Sequence, residues 1–586
     1  MERLKNEYPR PQFVREEWEN LNGEWDFRFG DEKWQKIIVP FVFQSRMSGI
    51  GSNRMCDRVT YRKKFRIPDE WKGREILLHF GAVDYECRVF VNGKYQGMHT
   101  GGNVGFSFNI TSALTWDEEE IIAEVFDPCK DETIPRGKQY WLKDPDSIWY
   151  TRTTGIWQTV WMEPVSTERI ELLKYTPDID SGTVRIDFHY TGESAEHRLD
   201  IDISMDGEAV AEVSVNHPEN VGNITIDVFD NRIFHTSTHN NGWCWSPDNP
   251  KLFKVKTVLR KDKEIVDEVD SYFGMRKIHT DEGMVYLNNR PFYQKLVLDQ
   301  GYWKDSLMTA GSDEDFKTDI LLAKQMGFNG CRKHQKTEDP RFLYWADRLG
   351  YVVWEEIGAC AQFSSDAVRR TVDEWMEVVE RDYNHPCIVT WVPLNESWGV
   401  PYISVNREQQ EFSQTLYHLL KSLDHTRLVV GNDGWEMTET DICAIHNYDH
   451  GEKNDTDAHE RFRISLSSGE ELLYTYSAGR KIFVDGWQYQ GQPILLTEFG
   501  GISFAEKDEK AWGYTCIANG EELEKEYERI LDALQKSECI AGFCYTQLAD
   551  VEQETNGLLT CDRKLKVRPE IIRKINDRVN KKRIRR

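Results

Sequence analysis

Apolar and polar positions alternate in short runs over the first 165 residues. Ile76-Leu77-Leu78-His79-Phe80, Cys87-Arg88-Val89-Phe90-Val91 and Ile121-Ile122-Ala123-Glu124-Val125 have the length and residue types of strands. Asn92-Gly93, directly after one of these runs, reads as a two-residue hairpin turn, since both residues tolerate positive φ. Residues 1–165 are therefore expected to form a jelly-roll β-sandwich. From 166 to 277 the alternation continues, as in Thr183–Phe188 and Leu252–Val258, over a length that fits a small immunoglobulin-like sandwich. Within it, Trp243-Cys244-Trp245-Ser246-Pro247-Asp248-Asn249-Pro250 reads as a proline-pinned approach to an edge strand.

After Phe273-Gly274-Met275-Arg276 the pattern changes to strands alternating with helices. Apolar strands are predicted at Lys295–Leu298, Phe328–Arg332, Tyr351–Trp354, Ile388–Leu394, Leu428–Val430, Ile442–Ile445, Ile494–Thr497 and Gly542–Tyr545. Helices such as Ser312–Met326, with an acidic first turn, and Glu521–Gln535 lie between them. Eight such units in residues 278–586 predict a (β/α)8 barrel, in a chain that is multidomain β + α/β overall. The basic tail Lys581–Arg586 reads as a solvated end.

Two of the barrel strands stop on polar groups. The run Ile388–Leu394 ends at Asn395-Glu396, and Ile494–Thr497 ends at Glu498-Phe499-Gly500-Gly501. The carboxyl ends of parallel barrel strands are where such a fold carries its chemistry, so two glutamates there point to paired carboxylate chemistry, as in cleaving a glycosidic bond. One of them must then hold a proton near neutral pH, and Trp391 and Trp398 are candidates for the poorly solvated wall that would raise its pKa.

Composition narrows the partners. A formal net charge of −25 argues against nucleic acid and anionic membranes. The 20 tryptophans include candidates for stacking on sugar rings, although most belong to packing. The 12 cysteines are scattered without CxxC pairs or metal-ligand spacing, which predicts free thiols and a cytoplasmic protein. No apolar leader or membrane-spanning run is present in the sequence, and no metal or cofactor is expected.

The domain order and several motifs resemble glycoside hydrolase family two. Leu21-Asn22-Gly23-Glu24-Trp25-Asp26-Phe27 is similar to the family's opening. His99-Thr100-Gly101-Gly102 and Gly155-Ile156-Trp157-Gln158-Thr159-Val160-Trp161 are similar to its sugar-binding domain, and Arg381-Asp382-Tyr383-Asn384-His385-Pro386 to the segment ahead of its acid/base strand. The resemblance implies a retaining exo-β-glycosidase, with Glu396 as acid/base, Glu498 as nucleophile and Asn395 on the sugar 2-hydroxyl. It implies a glycoside or oligosaccharide substrate and a homo-oligomer, dimer or tetramer. Tyr448 resembles the tyrosine that touches the nucleophile, with a packed rim aromatic as the alternative.

Other candidates have two readings each. Asp299, after the first barrel strand, is a sugar ligand or a helix cap. His334 is a sugar ligand or a structural histidine, and His385 reads as structural. Trp303, Asp433 and Trp435 line the leaving-group side or belong to solvent-facing loops. After the eighth strand, Glu554-Thr555-Asn556-Gly557 departs from the Asn-x-Lys-Gly motif of β-glucuronidases, so the cation of that motif is missing. Together with Asn-Glu-Ser at the acid/base, this leans toward galactose-configured substrates. Arg332, Lys333 and Lys336 at the end of the second strand then offer a grip for a uronic carboxylate, against the alternative of internal salt bridges. The substrate is thus expected to be a β-galactoside or β-galacturonide. The alternatives are a β-glucuronidase or other glycosidase of the family, a transglycosidase, and a non-catalytic carbohydrate-binding protein.

Overall fold

The computed structural model describes residues 5–192, 196–229, 242–504 and 513–579; the basic tail lies outside them. The first sandwich packs a four-stranded sheet against a six-stranded one, all pairs antiparallel. Its strands alternate as their sequence does: along Glu119–Phe126 every second residue is buried, because successive side chains face opposite sides of a strand. Trp25, Phe27, Tyr61, Leu78, Val89, Ile121 and Met162 form the core. Asn92 and Gly93 both adopt positive φ, 49° and 75°, between strands Glu86–Val91 and Lys94–Thr100.

The second sandwich pairs Ile170–Asp178, Thr183–Tyr190 and Val221–Asp227 in one sheet. The other sheet runs in the order Glu208–Asn216, His197–Met205, Phe253–Lys261, Glu264–Phe273. Strand Phe253–Lys261 is therefore an inner strand, so the expectation of an edge strand after Trp243–Pro250 is corrected. That segment instead ties the sandwich to the barrel: Trp245 is fully buried in the barrel's core cluster and its Nε1 donates to Asp347 O at 2.7 Å.

The barrel strands are β1 (Gln294–Asp299), β2 (Gly330–Lys333), β3 (Val352–Glu356), β4 (Ile388–Val392), β5 (Leu428–Val429), β6 (Cys443–His446), β7 (Ile494–Glu498) and β8 (Ile540–Tyr545). They pair in parallel in the order β5-β4-β3-β2-β1-β8-β7-β6, and a single parallel bridge, Gly434 to Ile445, joins β5 to β6. Every residue of these strands except Lys295 is buried, which is why they read as nearly continuous apolar runs rather than alternating ones. Helix α1 (Asp313–Gln325) starts at a capping box, Ser312 accepting from Glu314 N while Asp315 reaches back to Ser312 N.

The loop of the first sandwich between Phe126 and Gly155 lies across the mouth of the barrel. Gly137 N donates to Ala359 O at 3.1 Å, Thr151 N to the Glu552 carboxylate at 2.9 Å, and Gln553 Nε2 to Trp149 O at 2.9 Å. Gly137 has φ +58°, and a Cβ there would meet Gln335 O at 2.3 Å, so this close approach requires glycine. All 12 cysteines are free. Among the described residues no helix is long and apolar enough to cross a membrane.

Candidate active site

Strand β4 runs through Pro393-Leu394 to Asn395 and Glu396. There the backbone turns sharply: Glu396 and Ser397 have φ of +53° and +61°. Left-handed backbone at residues with a side chain costs roughly 1–3 kcal/mol each and persists only where neighbours impose it. Here Glu396 N donates to Asp433 O at 2.8 Å, Ser397 N to Asn432 Oδ1 at 3.1 Å, and Ser397 Oγ to Glu436 Oε2 at 2.6 Å. The turn lifts Glu396 out of the strand line, so it is the partly exposed carboxylate of the group.

Glu498 ends β7 and is nearly buried. Arg332 Nη1 donates to its Oε1 at 3.1 Å, and Tyr448 OH to its Oε2 at 2.8 Å. Burial, followed by the charge of Glu498, pushes the Tyr448 phenol well above its usual range, so it remains a donor. Tyr448 OH also meets Thr546 Oγ1 at 2.9 Å, and its ring stacks on Tyr514 with centroids 3.7 Å apart.

His446, the last residue of β6, stands between the glutamates. Its Nδ1 donates to Glu396 Oε1 at 2.8 Å, while Nε2 lies 3.3 Å from Asp433 Oδ1 and 3.5 Å from Glu498 Oε1. Burial opposes a charge on this imidazole. The carboxylates of Glu498 and Asp433, and its hydrogen bonds to Asp433 and Glu396, outweigh burial and push its pKa up to about 10. The converse holds at Glu396: burial works to raise the carboxyl, but the hydrogen bond and charge of His446, with a smaller pull from Lys138, hold it below its ordinary value. The expected raised pKa on Glu396 is therefore corrected. Trp391 does not make the wall, since it faces the core and donates to Asp424 at 3.0 Å; Trp398 packs edge-on against Trp149. Atoms of Glu396, His446 and Glu498 all lie within 4.8 Å of one another.

The basic cluster is turned to internal partners. Arg332 points into the barrel and is fully buried, bound to Glu356 (2.7 Å), Asp433 (2.9 Å), Glu498 (3.1 Å) and Asn395 Oδ1 (3.1 Å). An arginine only donates, so this contact fixes the Asn395 oxygen toward Arg332 and leaves its amide N–H groups for another acceptor. Lys333, one residue on, faces the other side of the strand and pairs with Asp299 (2.7 Å) and Glu338 (3.0 Å). Lys336 donates to Glu338, Gly301 O and Met308 O. Asp299 also accepts from Gly301 N at 2.9 Å in a turn; it is not the helix cap of the alternative reading, since Ser312 caps α1. His334 Nδ1 sits 3.1 Å from Glu356 Oε2 and 4.0 Å from Glu498 Oε1. Trp435 packs edge-on against His446, centroids 5.6 Å apart, and its buried Nε1 has no hydrogen-bond partner. His385 is buried against Asp347 at 2.6 Å, on the side of the barrel away from the glutamates. Asn556 and Glu554, in the altered loop, bond each other at 3.0 Å, and Glu554 is bonded by Tyr150 of the sandwich loop.

This arrangement has counterparts among known proteins. Residues 278–580 match the family described as glycosyl hydrolases family 2, TIM barrel domain; residues 168–276 match glycosyl hydrolases family 2, and residues 48–163 its sugar binding domain. The chain belongs to glycosyl hydrolase family 2. It is similar to a β-galactosidase of Thermoanaerobacter pseudethanolicus, 24% identical over 70% of this chain and 53% of the relative. It is also 24% identical to a putative β-glucuronidase of Formosa agariphila, over 83% of this chain and 57% of that one. The chain thus spans just over half the length of these two curated relatives. The fold is similar to that of a β-D-glucuronidase of Dictyoglomus thermophilum, with a TM-score of 0.77, 20% identity and 98% of both chains covered.

Several members of this family 2 site carry no sequence signal of their own. His446, Glu356, Thr546 and Tyr514 are ordinary residues at strand ends or in loops, and only the folded barrel brings them to Glu396 and Glu498. Asp433 was visible as a residue after the fifth strand, but it is fully buried beneath the site rather than on its rim.

Proposed function

We propose that this family 2 protein is a retaining exo-β-glycosidase. The observation that carries the reading is the pair Glu396 and Glu498, on facing strand ends with carboxylate oxygens within 4.8 Å across His446. Retaining enzymes hold their carboxyls about 5–5.5 Å apart, whereas inverting ones leave about 6.5–9.5 Å for a water molecule. Glu498, oriented by Arg332 and Tyr448, attacks the anomeric carbon as the bond to the leaving oxygen breaks. The His446–Glu396 couple holds one proton, and Glu396 passes it to that oxygen. In the second half, Glu396 takes a proton from water, which attacks the anomeric carbon and releases Glu498. The free amide of Asn395 is suited to the sugar 2-hydroxyl, a contact that strengthens as positive charge develops on the ring.

The sugar is proposed to be galactose-configured, as a galactoside or galacturonide. The second reading, a β-glucuronide, is favoured by similarity to proteins that bear that name. A nitrophenyl glycoside panel tests the reaction. Glu498→Ala is expected to lose roughly 10⁴-fold or more in kcat, and Glu396→Ala about 10²- to 10⁴-fold, with circular dichroism unchanged. Turnover by Glu498→Ala at the wild-type rate would rule the mechanism out.

A further inference from the structure

Four lysines are buried among the described residues: Lys5, Lys138, Lys333 and Lys336. Three are ion-paired, Lys5 with Asp339, Lys333 with Asp299 and Glu338, and Lys336 with Glu338. Lys138 is 7% exposed, yet its Nζ makes no hydrogen bond or ion pair among the described residues. Its stem is buried while the ammonium still reaches solvent, the arrangement of a long cationic side chain whose head is left open to an incoming anion.

Its position gives the anion a source. Gly137 presses the sandwich loop onto the barrel mouth, where a Cβ would meet Gln335 O. The next residue, Lys138, places Nζ 5.8 Å from the ring centres of both Trp149 and Tyr150. Trp149 packs on Trp398, two residues beyond Glu396. Several neighbouring charged side chains are already engaged: Arg136 with Asp127, Glu132 with Gln362, and Glu554 with Tyr150 and Asn556.

We propose that Lys138 is a specificity-determining residue that binds the carboxylate of a β-uronide. The inference rests on the glycosidase reading above. It assigns to the sandwich loop the cation that neither the loop around Asn556 nor the internally paired Arg332, Lys333 and Lys336 offers. A neutral glycoside offers the ammonium no counter-charge as it covers the mouth, while a uronate supplies a charge-assisted hydrogen bond to it. There is a consequence for catalysis. The charge of Lys138 helps to hold the Glu396 carboxyl low in the empty site. Pairing with the uronate would offset that charge and ease the proton toward Glu396 when substrate is bound.

The test uses nitrophenyl β-glucuronide and β-galacturonide against the matched glucoside and galactoside, and a galactoside whose phenyl leaving group carries a carboxylate. These are assayed with the full-length wild type, Lys138→Met and Lys138→Arg. The expected result is a uronide preferred over its neutral partner. Lys138→Met should cut that preference by roughly 10- to 100-fold in kcat/KM, and Lys138→Arg should restore most of it. Equal losses on uronide and neutral sugar would overturn the proposal, as would a loss confined to the carboxylated leaving group. Calorimetry with free galacturonate and glucuronate separates the two levels of the argument. Lys138-dependent binding of either acid with no turnover of any glycoside counts against the catalytic reading alone. Binding of neither acid overturns the role of Lys138.

Discussion

At the scale of single residues, the decisive contact is the one between His446 and Glu396. A buried imidazole is normally neutral, but three carboxylates converge on this one from β4, β7 and the turn after β5. The proton that a glycosidase needs is therefore kept on the couple rather than on the glutamate alone. Because the His446 pKa is pushed up to about 10, the couple retains its proton through neutral pH and loses it only on the alkaline side. Replacing His446 by Gln removes the cation, and the proton then depends on Glu396 itself. The expected outcome is a lower kcat and a basic limb of the kcat/KM profile moved more than one pH unit toward acid. An unmoved limb would show that His446 does not share the proton. Arg332 is a parallel case: its internal contacts make it a scaffold for Glu498 and Asn395. Its exposure is nil, so a direct hold on a sugar carboxylate has no room.

At the scale of elements, the strands were legible because barrel strands buried on both faces read as unbroken apolar runs. Their polar stops, Asn395-Glu396 and Glu498, marked the strand ends that meet at the barrel mouth. His446 was not legible as a functional residue, since one histidine at a strand end has no spacing to recognise and its partners come from other strands. The loop between Phe126 and Gly155 was likewise silent, because its role lies in contacts with residues far along the chain, such as Gln335, Ala359 and Glu552. The inner position of Phe253–Lys261 was misread because prolines in the preceding segment mark a turn, not the side of the sheet on which the strand lies. The loop makes a prediction of its own. Gly137→Val places side-chain atoms against Gln335 O in a left-handed backbone, so the loop must lift. A rise in KM of about tenfold or more, with the melting transition still cooperative, is expected; an unchanged KM would show that the loop takes no part in binding.

At the scale of the whole molecule, each domain has its own hydrophobic core, and a fourth cluster that includes Tyr150, Trp157, Tyr302 and Val551 joins the first sandwich to the mouth of the barrel. Trp245 locks the second sandwich to the barrel's core, and Tyr150, Thr151 and Trp149 fasten the loop to the segment after β8. Domain order and fold were read from the rhythm of the chain, because each sandwich and the barrel has its own period. The sugar was not, because its contacts depend on how two domains meet. In the proposed mechanism Glu498 and Glu396 carry out a double displacement, and the stereochemistry of the first product tests that most directly. Proton NMR of the sugar released early from the fastest-cleaved nitrophenyl β-glycoside should show the β-anomer before mutarotation, the outcome of two successive inversions. Appearance of the α-anomer first would mean a single displacement by water and would contradict the account.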